Sequence, residues 1–329
     1  MRIPPELAHS LAVTVEQGSL DAAARVLHVT QSAVSQRLAT LERLTGQVLL
    51  VRSRPVRATA AGETVIRYAR QVAHLDADAA AHLGLADGAR ATLPIAVNAD
   101  SLATWLLEPL VRASVALGVT LDLHREDESR TAELLARGTV VAAVTTRDVP
   151  VPGCTVGFLG VMTYRAVAAP DFARTYLPAG ATASALERAP VVDFDGTDSL
   201  QSQWLSSRGV DPTAPPRHRV PSSSEFARAI ALGLGWGMLP AHQRAGRDLT
   251  DLGGPELSVP LHWQQWRLHS THLDQLAREV ERAAAGTLTR HAAQEGIAPR
   301  PMSTGQLPPA AAAPTSTSAS PASVADESP

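Results

Sequence analysis

TQSAVSQRLATLERLTG, residues 30–46, shows two distinct faces when wound into a helix. Val34, Leu38, Leu41 and Leu44 recur at three- and four-residue intervals and fall on one side. Ser32, Ser35, Gln36 and Ala39 fall on the other, and Thr30 stands where an N-cap is expected. Upstream, DAAARVLHV (21–29) reads as a shorter helix with Ala23, Val26 and Leu27 inward. Ser19 caps it after the Gly18-Ser19 break, and a turn at His28-Val29 joins it to the quoted stretch. Before it, Leu7, Leu11 and Val15 give a first helix one apolar face. After Gly46, VLLVRSRPVRAT (48–59) reads as two short strands around a basic turn at Arg54-Pro55. Two helices joined by a tight turn, the second with a core face and a small polar face, are a helix-turn-helix, and the hairpin would be its wing.

In that motif the second helix enters the major groove of DNA with its N-terminal residues against base edges. Gln31, Ser32, Ser35 and Gln36 suit the task, because a glutamine amide can pair bidentately with adenine and serine can serve base or phosphate. Arg37, Arg52, Arg54 and Arg57 would lie near phosphates, which set affinity while base contacts set sequence choice. Taken alone, the same residues also fit a solvated helix face and a solvated arginine turn. The charge distribution separates this segment from the rest. Its first sixty residues hold seven arginines and four acids, on a chain of formal charge −3. Every cationic side chain is arginine; beside so much alanine, this reads as a high-GC coding bias before it reads as function.

A length of 329 residues suits two or three domains, and 45% apolar content is that of a globular protein. No apolar run approaches the ~18–20 residues of a membrane span, and MRIPPELAHS lacks the pattern of a secretory signal. Cys154 is the lone cysteine, which excludes an internal disulfide and a cysteine zinc cluster. The expected setting is a reducing cytoplasm, with no membrane partner. His242, His262, His269 and His272 are scattered without metal-ligand spacing, so no metal is expected. The motifs G-x-S-x-G, H-E-x-x-H and G-x-x-x-x-G-K-[ST] are absent, and no enzyme activity is expected.

Residues 60–83 form a long helical pattern in which Val65, Tyr68, Ala69, Val72, Leu75, Ala79 and Leu83 make one stripe. Such a stripe needs a partner, and a second copy of the chain is the obvious one. A hinge is expected at 85–92. From 93 to 293 strand-like segments (LPIAVN, TLDLHRE, VVAAVTT, APVVDFD, RHRVPSS, GWGMLP, LHWQQWRL) alternate with helix-like ones, which argues an α/β fold. Residues 298–329 are Pro, Ala, Ser and Thr without periodicity, and are expected to be disordered.

SLDAAARVLHVTQSAVSQRLATLERLTGQVLLVRSRPVRATAAGE (19–63) closely resembles the N-terminus of LysR-type transcriptional regulators. The shared features are A-A…L…TQSAVSQ, the following L-E-x-x-x-G, and the L-x-R…T-x-x-G ending. Many relatives have arginine after the second serine; Gln36 followed by Arg37 instead matches the arginine- and lysine-responsive (ArgP/LysG-like) branch, as do NADSLATW, EDESRTAELLARGTVVAAVTT and PSSSEF. The resemblance spans residues 5 to about 290. It implies a winged helix-turn-helix at 1–59, a linker and dimerisation helix at 60–84, and a two-lobed effector domain at 93–293 like a periplasmic binding protein. Lobe I would comprise 93–164 with 265–293, and lobe II 165–264. It also implies an operator in double-stranded DNA, dimers assembling into tetramers, contact with RNA polymerase, activation of a basic amino-acid exporter gene, and no cofactor beyond an amino-acid effector, arginine or lysine.

Effector residues are expected where strand ends meet helix starts. N–H groups near Ser101 and Leu102, with the Ser101 hydroxyl, could hold an α-carboxylate, and Asp100 could cap the helix or meet an α-ammonium. Glu126-Asp127-Glu128 follows a strand, and at least one of Asp127 and Glu128 is expected to face a guanidinium or ammonium group. Thr145 and Thr146 end the third strand; Phe194 and Asp195 end one in the other half, with Asp198 close behind. Ser223 and Ser224 precede a helix, and Ser222-x-x-Glu225 has the form of a capping box. Two other readings stay open: an architectural DNA binder with no ligand, and a regulator of the same type sensing a different small metabolite.

Overall fold

The computed structural model describes residues 2–83, 90–126 and 128–290. The expected tail, and most of the expected hinge, lie outside the described residues. The N-terminal domain comprises α1 (Pro5–Gln17), α2 (Leu20–Val26), α3 (Gln31–Thr45), the hairpin β1 (Leu50–Val51) and β2 (Arg57–Ala58), and α4 (Ala60–His82). Both expected caps form: Ser19 Oγ accepts from Ala22 N at 3.2 Å and Thr30 Oγ1 from Ala33 N at 3.1 Å. Leu11, Ala23, Val34, Leu38, Leu41 and Leu49 make the core, closed by Val65, Ile66 and Ala69 of α4. Val26 does not point inward as expected. It is 50% exposed, and Ala24 takes the buried position, because the short α2 packs closely on both α1 and α3.

The T-x-x-G ending has a local cause. Thr59 Oγ1 accepts from Gly62 N at 3.1 Å and donates to Val48 O at 2.7 Å, tying the start of α4 to the hairpin. A Cβ on Gly62 would stand 2.1 Å from Leu49 O, so only glycine fits there. Beyond this point α4 does not offer one uninterrupted stripe to a partner. Val65 and Ala69 are buried in the domain's own core with Tyr68 packed beside them. Val72, Leu75, Ala79 and Leu83 run on past that core, and Leu83 is 71% exposed.

The second domain is mixed α/β. Its parallel strands β3 (Thr92–Val97), β4 (Thr120–Arg125) and β5 (Ala142–Thr145) lie in the order β4-β3-β5. They are connected by α5 (Ala99–Ser101), a π-helical turn (Leu102–Leu106), α6 (Leu107–Leu117) and α7 (Glu128–Arg137). β6 (Cys154–Ala168) then leads away into α8 (Pro170–Tyr176), α9 (Ala183–Leu186), β7 (Val191–Asp193), α10 (Leu200–Ser207), β8 (Arg217–Arg219), α11 (Ser223–Ala231), β9 (Gly237–Pro240), α12 (Ala241–Arg244) and β10 (Thr250–Asp251). β11 (Leu257–Trp266) returns, and α13 (Thr271–Thr287) packs on α6.

β6 and β11 are the two crossings between lobes. They pair antiparallel from Cys154–Trp266 to Tyr164–Leu257. At one end β11 also pairs with β5; at the other, β6 pairs with β9 and β10. One sheet therefore curls through two lobes, with a bulge between Leu261 and His262 opposite Gly160. Gly160 sits at φ 148°, and a Cβ there would come within 2.6 Å of Leu288 Cβ. Lobe II has its own centre in Trp204 and Trp236, both fully buried, with ring centroids 5.0 Å apart. No helix among the described residues is long and apolar enough to cross a membrane.

Candidate functional site

Gln31, Ser32, Ser35 and Gln36 are all exposed on the first two turns of α3. Arg52, Arg54 and Arg57 are exposed on the hairpin, which is held against the α1–α2 turn by Val56 N donating to Gly18 O at 2.9 Å. Arg37 behaves differently from expectation. It is half-buried and donates to Ser10 Oγ at 3.2 Å, tying α3 to α1 instead of standing free for a phosphate.

A cavity of about 520 Å³ opens where the parallel strands end. Lobe I contributes Asn98, Ala99 and Asp100 after β3, Arg125, Glu126 and Arg130 around the end of β4, and Thr146 after β5. Tyr164 and Val259 come from the crossing strands, and Phe194, Asp195, Asp198, Leu200, Gln201, Phe226 and Met238 from lobe II.

The carboxylates on this wall are not equivalent. Asp100 bridges the lobes: Oδ2 accepts from the Tyr164 hydroxyl at 2.8 Å and Oδ1 from Ser223 Oγ at 2.6 Å. Burial, reinforced by the Asp100 charge, holds the Tyr164 phenol well above its usual range. A second tie runs from Arg125 Nη1 to Pro221 O at 3.4 Å. Just behind the wall, Asp193 is neutralised by Arg217, whose Nη1 lies 2.7 Å from both carboxylate oxygens. Asp198 has no such cation. It accepts from Phe194 N at 2.9 Å and Leu200 N at 3.1 Å, and no arginine or histidine among the described residues lies within ion-pair distance. Burial pushes its carboxyl above the usual range, with the Asp193 charge adding to the effect. Asp195 Oδ1 accepts from Thr197 N at 2.7 Å and Asp198 N at 3.1 Å, which fixes the turn carrying both acids. Glu126 pairs with Arg130 at 3.2 Å.

Of the effector residues expected from sequence, the structure brings Asp100, Thr146, Phe194 and Asp195 to the cavity. Asp100 is not the cap; Asn98 Oδ1 takes that role, accepting from Ser101 N at 2.8 Å. Ser101 and Leu102 do not line the cavity, and their N–H groups already donate to Asn98 Oδ1 and Asn98 O. Ser101 is fully buried, because the helix turns those two positions toward the core. Thr145 is buried as well and accepts from Arg147 N at 3.2 Å. Ser223 acts on the cavity only through Asp100, and Ser224 is exposed away from it. Ser222 donates to the Glu225 carboxylate without accepting a backbone N–H, so the capping box is half made. Asp127 and the side chain of Glu128 lie outside the described residues. Sequence reading did not pick out Asn98, Arg125, Arg130 or Tyr164. Arg125 and Arg130 flank the acidic triplet and could have been drawn in by proximity; Tyr164 lies on the unread strand β6 and gave no signal. Cys154 is buried, its thiol pushed up to about 11, and takes no part in the site.

Residues 6–63 match the family described as bacterial regulatory helix-turn-helix protein, lysR family, and residues 86–289 match the LysR substrate binding domain. The HTH-type transcriptional regulator LysG of Mycobacterium tuberculosis is 43% identical over 288 residues, covering 86% of this chain and 93% of that protein. The structure of ArgP from Mycobacterium tuberculosis aligns with a TM-score of 0.80 at 41% identity, over 88% of this chain and all of that one. Full-length LysG from Corynebacterium glutamicum with bound effector arginine aligns with a TM-score of 0.74 at 36% identity, over 87% of this chain and 99% of that one. These relatives are regulators, and no catalytic family is indicated. With both domains matched in order along one chain, this protein belongs to the LysR family of bacterial transcriptional regulators, in the group of LysG and ArgP.

Proposed function

We propose that this regulator is a one-component sensor whose cleft binds a basic amino acid, arginine or lysine, and which controls the gene of a basic amino-acid exporter. The carrying observation is Asp198: a carboxylate in the cavity wall with no cation of its own, beside an Asp193 that has one. A guanidinium or ammonium group supplies the missing charge and makes a charge-assisted hydrogen bond. Leu200, Phe226, Met238 and Val259 give the methylene stem an apolar wall, and Arg125 and Arg130 are the cations available to the α-carboxylate. The relative from Corynebacterium glutamicum carries arginine as its effector, which supports the same choice here.

At the other end of the chain, Gln31, Ser32, Ser35 and Gln36 read base edges and Arg52, Arg54 and Arg57 hold phosphates. Two copies pair along Val72, Leu75, Ala79 and Leu83 and present two α3 helices to one operator in the cytoplasm; two such pairs make a tetramer that contacts RNA polymerase. The effector acts by its differential affinity for the two placements of the lobes, since equal affinity would shift nothing. The test is thermal unfolding of the full-length protein against the twenty amino acids and norleucine. A ligand at 100 times its dissociation constant stabilises the native state by about 2.7 kcal/mol. Arginine or lysine is expected to raise Tm selectively. An equal rise with norleucine would remove the basic-side-chain assignment, and no rise with any amino acid would overturn the sensor reading.

A further inference from the structure

Besides its apolar stripe, α4 carries a polar one. Glu63, Arg67, Arg70, His74 and Asp78 recur at intervals of four, three, four and four residues and share a face. Each meets the effector domain of its own chain. Arg137 Nε lies 3.8 Å from Glu63, Arg67 Nη1 donates to Pro152 O at 3.2 Å, and Arg70 Nη1 donates to Arg137 O at 3.0 Å and to Thr139 Oγ1 at 3.3 Å. His74 Nε2 lies 3.2 Å from Ser270 Oγ, and Asp78 Oδ1 lies 2.6 Å from His272 Nδ1. His74 and Asp78 are 8% and 7% exposed. Burying an imidazole and a carboxylate is unfavourable unless they meet matched partners, so this face is shaped for the contact and is not a solvated surface.

Every one of these contacts goes to lobe I. Arg137 and Thr139 end α7, Pro152 follows β5, and Ser270 and His272 open α13. The same three segments reach the cleft at their other ends, through Arg130 of α7, Thr146 after β5, and Val259 of β11.

We infer that the polar face of α4 is a clamp that fixes the DNA-binding domain to lobe I of its own chain, so that the two move as one body and lobe II moves against them when the cleft is filled. This rests on the cleft being the effector site. Effector occupancy then changes operator binding only while the clamp holds. Without it the effector domain can close while α3 stays where DNA alone puts it.

The experiment compares the full-length protein with His74→Ala/Asp78→Ala, and with the milder Arg70→Gln. In the first arm, arginine affinity is measured by calorimetry and operator affinity by titration with and without arginine. Both variants are expected to keep the arginine dissociation constant within twofold, while the effect of arginine on operator affinity shrinks to less than twofold. An unchanged effector response of operator binding would overturn the clamp. In the second arm, unfolding is followed calorimetrically with no amino acid present, which separates this inference from the identity of the effector. The wild type is expected to unfold in one transition and the double variant in two; a single transition at unchanged Tm in both would also overturn it. Failure of the wild type to bind arginine or lysine would defeat the effector assignment and leave the second arm to decide the clamp.

Discussion

Gln31, Ser32, Ser35 and Gln36 stand exposed within six residues of one helix, whereas Asp100, Glu126, Asp195 and Asp198 reach their cavity from three separate segments. The difference follows from what each surface meets. A DNA duplex is a large polyanion approached from water, so exposed cations and a polar helix face are enough, and their effect is screened by salt. A small cation has to leave water to enter a cavity of about 520 Å³, and there a partly buried carboxylate without a partner discriminates strongly. Exposed and local on one side, enclosed and assembled on the other, the two surfaces should respond to different perturbations.

Salt and arginine removal bear hardest on the first. Arg52→Ala/Arg54→Ala/Arg57→Ala should weaken operator binding by at least about a hundredfold at low salt and flatten the log–log salt dependence by about 3, at ~0.9 per phosphate contact. Arginine binding in the cleft should not change; a fluorescence titration across salt concentrations checks both. Gln36→Ala should cost ~1–3 kcal/mol of discrimination between the operator and single-base variants, with the salt slope intact. A uniform loss on all sequences would make Gln36 a backbone contact. On the second surface, Asp198→Asn should weaken binding of arginine or lysine by ~1.5–3 kcal/mol, the worth of a hydrogen bond to a charged group, and leave operator binding without effector unchanged.

The pH dependence of the cleft has a definite sign. Burial raises the Asp198 carboxyl, and a bound cation favours its ionised form. Affinity should be full above that raised pKa and fall as pH drops through it, with protons released on binding, as calorimetry in buffers of different ionisation enthalpy would show. Asp198→Asn should abolish that proton release. The smallest effect is expected at the α4 clamp. Burial lowers the His74 pKa, opposed by Asp78 and reinforced by His272. The unfolded chain therefore takes up the proton first as pH falls below the ordinary histidine value of about 6.5. Stability from this site is full above that pH and declines below it, and His74→Gln should make the decline in Tm between pH 7.5 and 5.5 shallower.

The same contrast explains what the sequence makes legible. The helix-turn-helix is a local object: Thr30, Ser19, Val34, Leu38 and Leu41 each act on neighbours a few residues away, and their spacing announces the fold. Even there, tertiary packing overrides the pattern at Val26, set by the approach of α2 to its neighbours, and at Arg37, drawn to Ser10 on α1. In the effector domain most strands show as apolar runs. β6 does not, because Leu159–Met162 are buried on both faces and Gly157 and Gly160 break the run, so no alternation marks it. With β6 unread, Tyr164 and its bond to Asp100 were invisible. Asp100, Phe194 and Asp195 could be found because strand ends are where ligands bind; Ser101, Leu102 and Thr145 follow the same rule and fail it, since one residue along a helix start or a strand turns a side chain from cavity to core. Phe226, Met238 and Val259 look like any core residues until the lobes face each other across them.

The central claim, that the cleft selects a cationic side chain, is tested most directly by calorimetric titration of the full-length protein with arginine and with citrulline. Citrulline keeps the shape of arginine and replaces the guanidinium with a neutral urea. Arginine is expected to bind at least tenfold more tightly near neutral pH, with the ratio collapsing toward one in Asp198→Asn. Equal affinities of the wild type for the two would contradict the account.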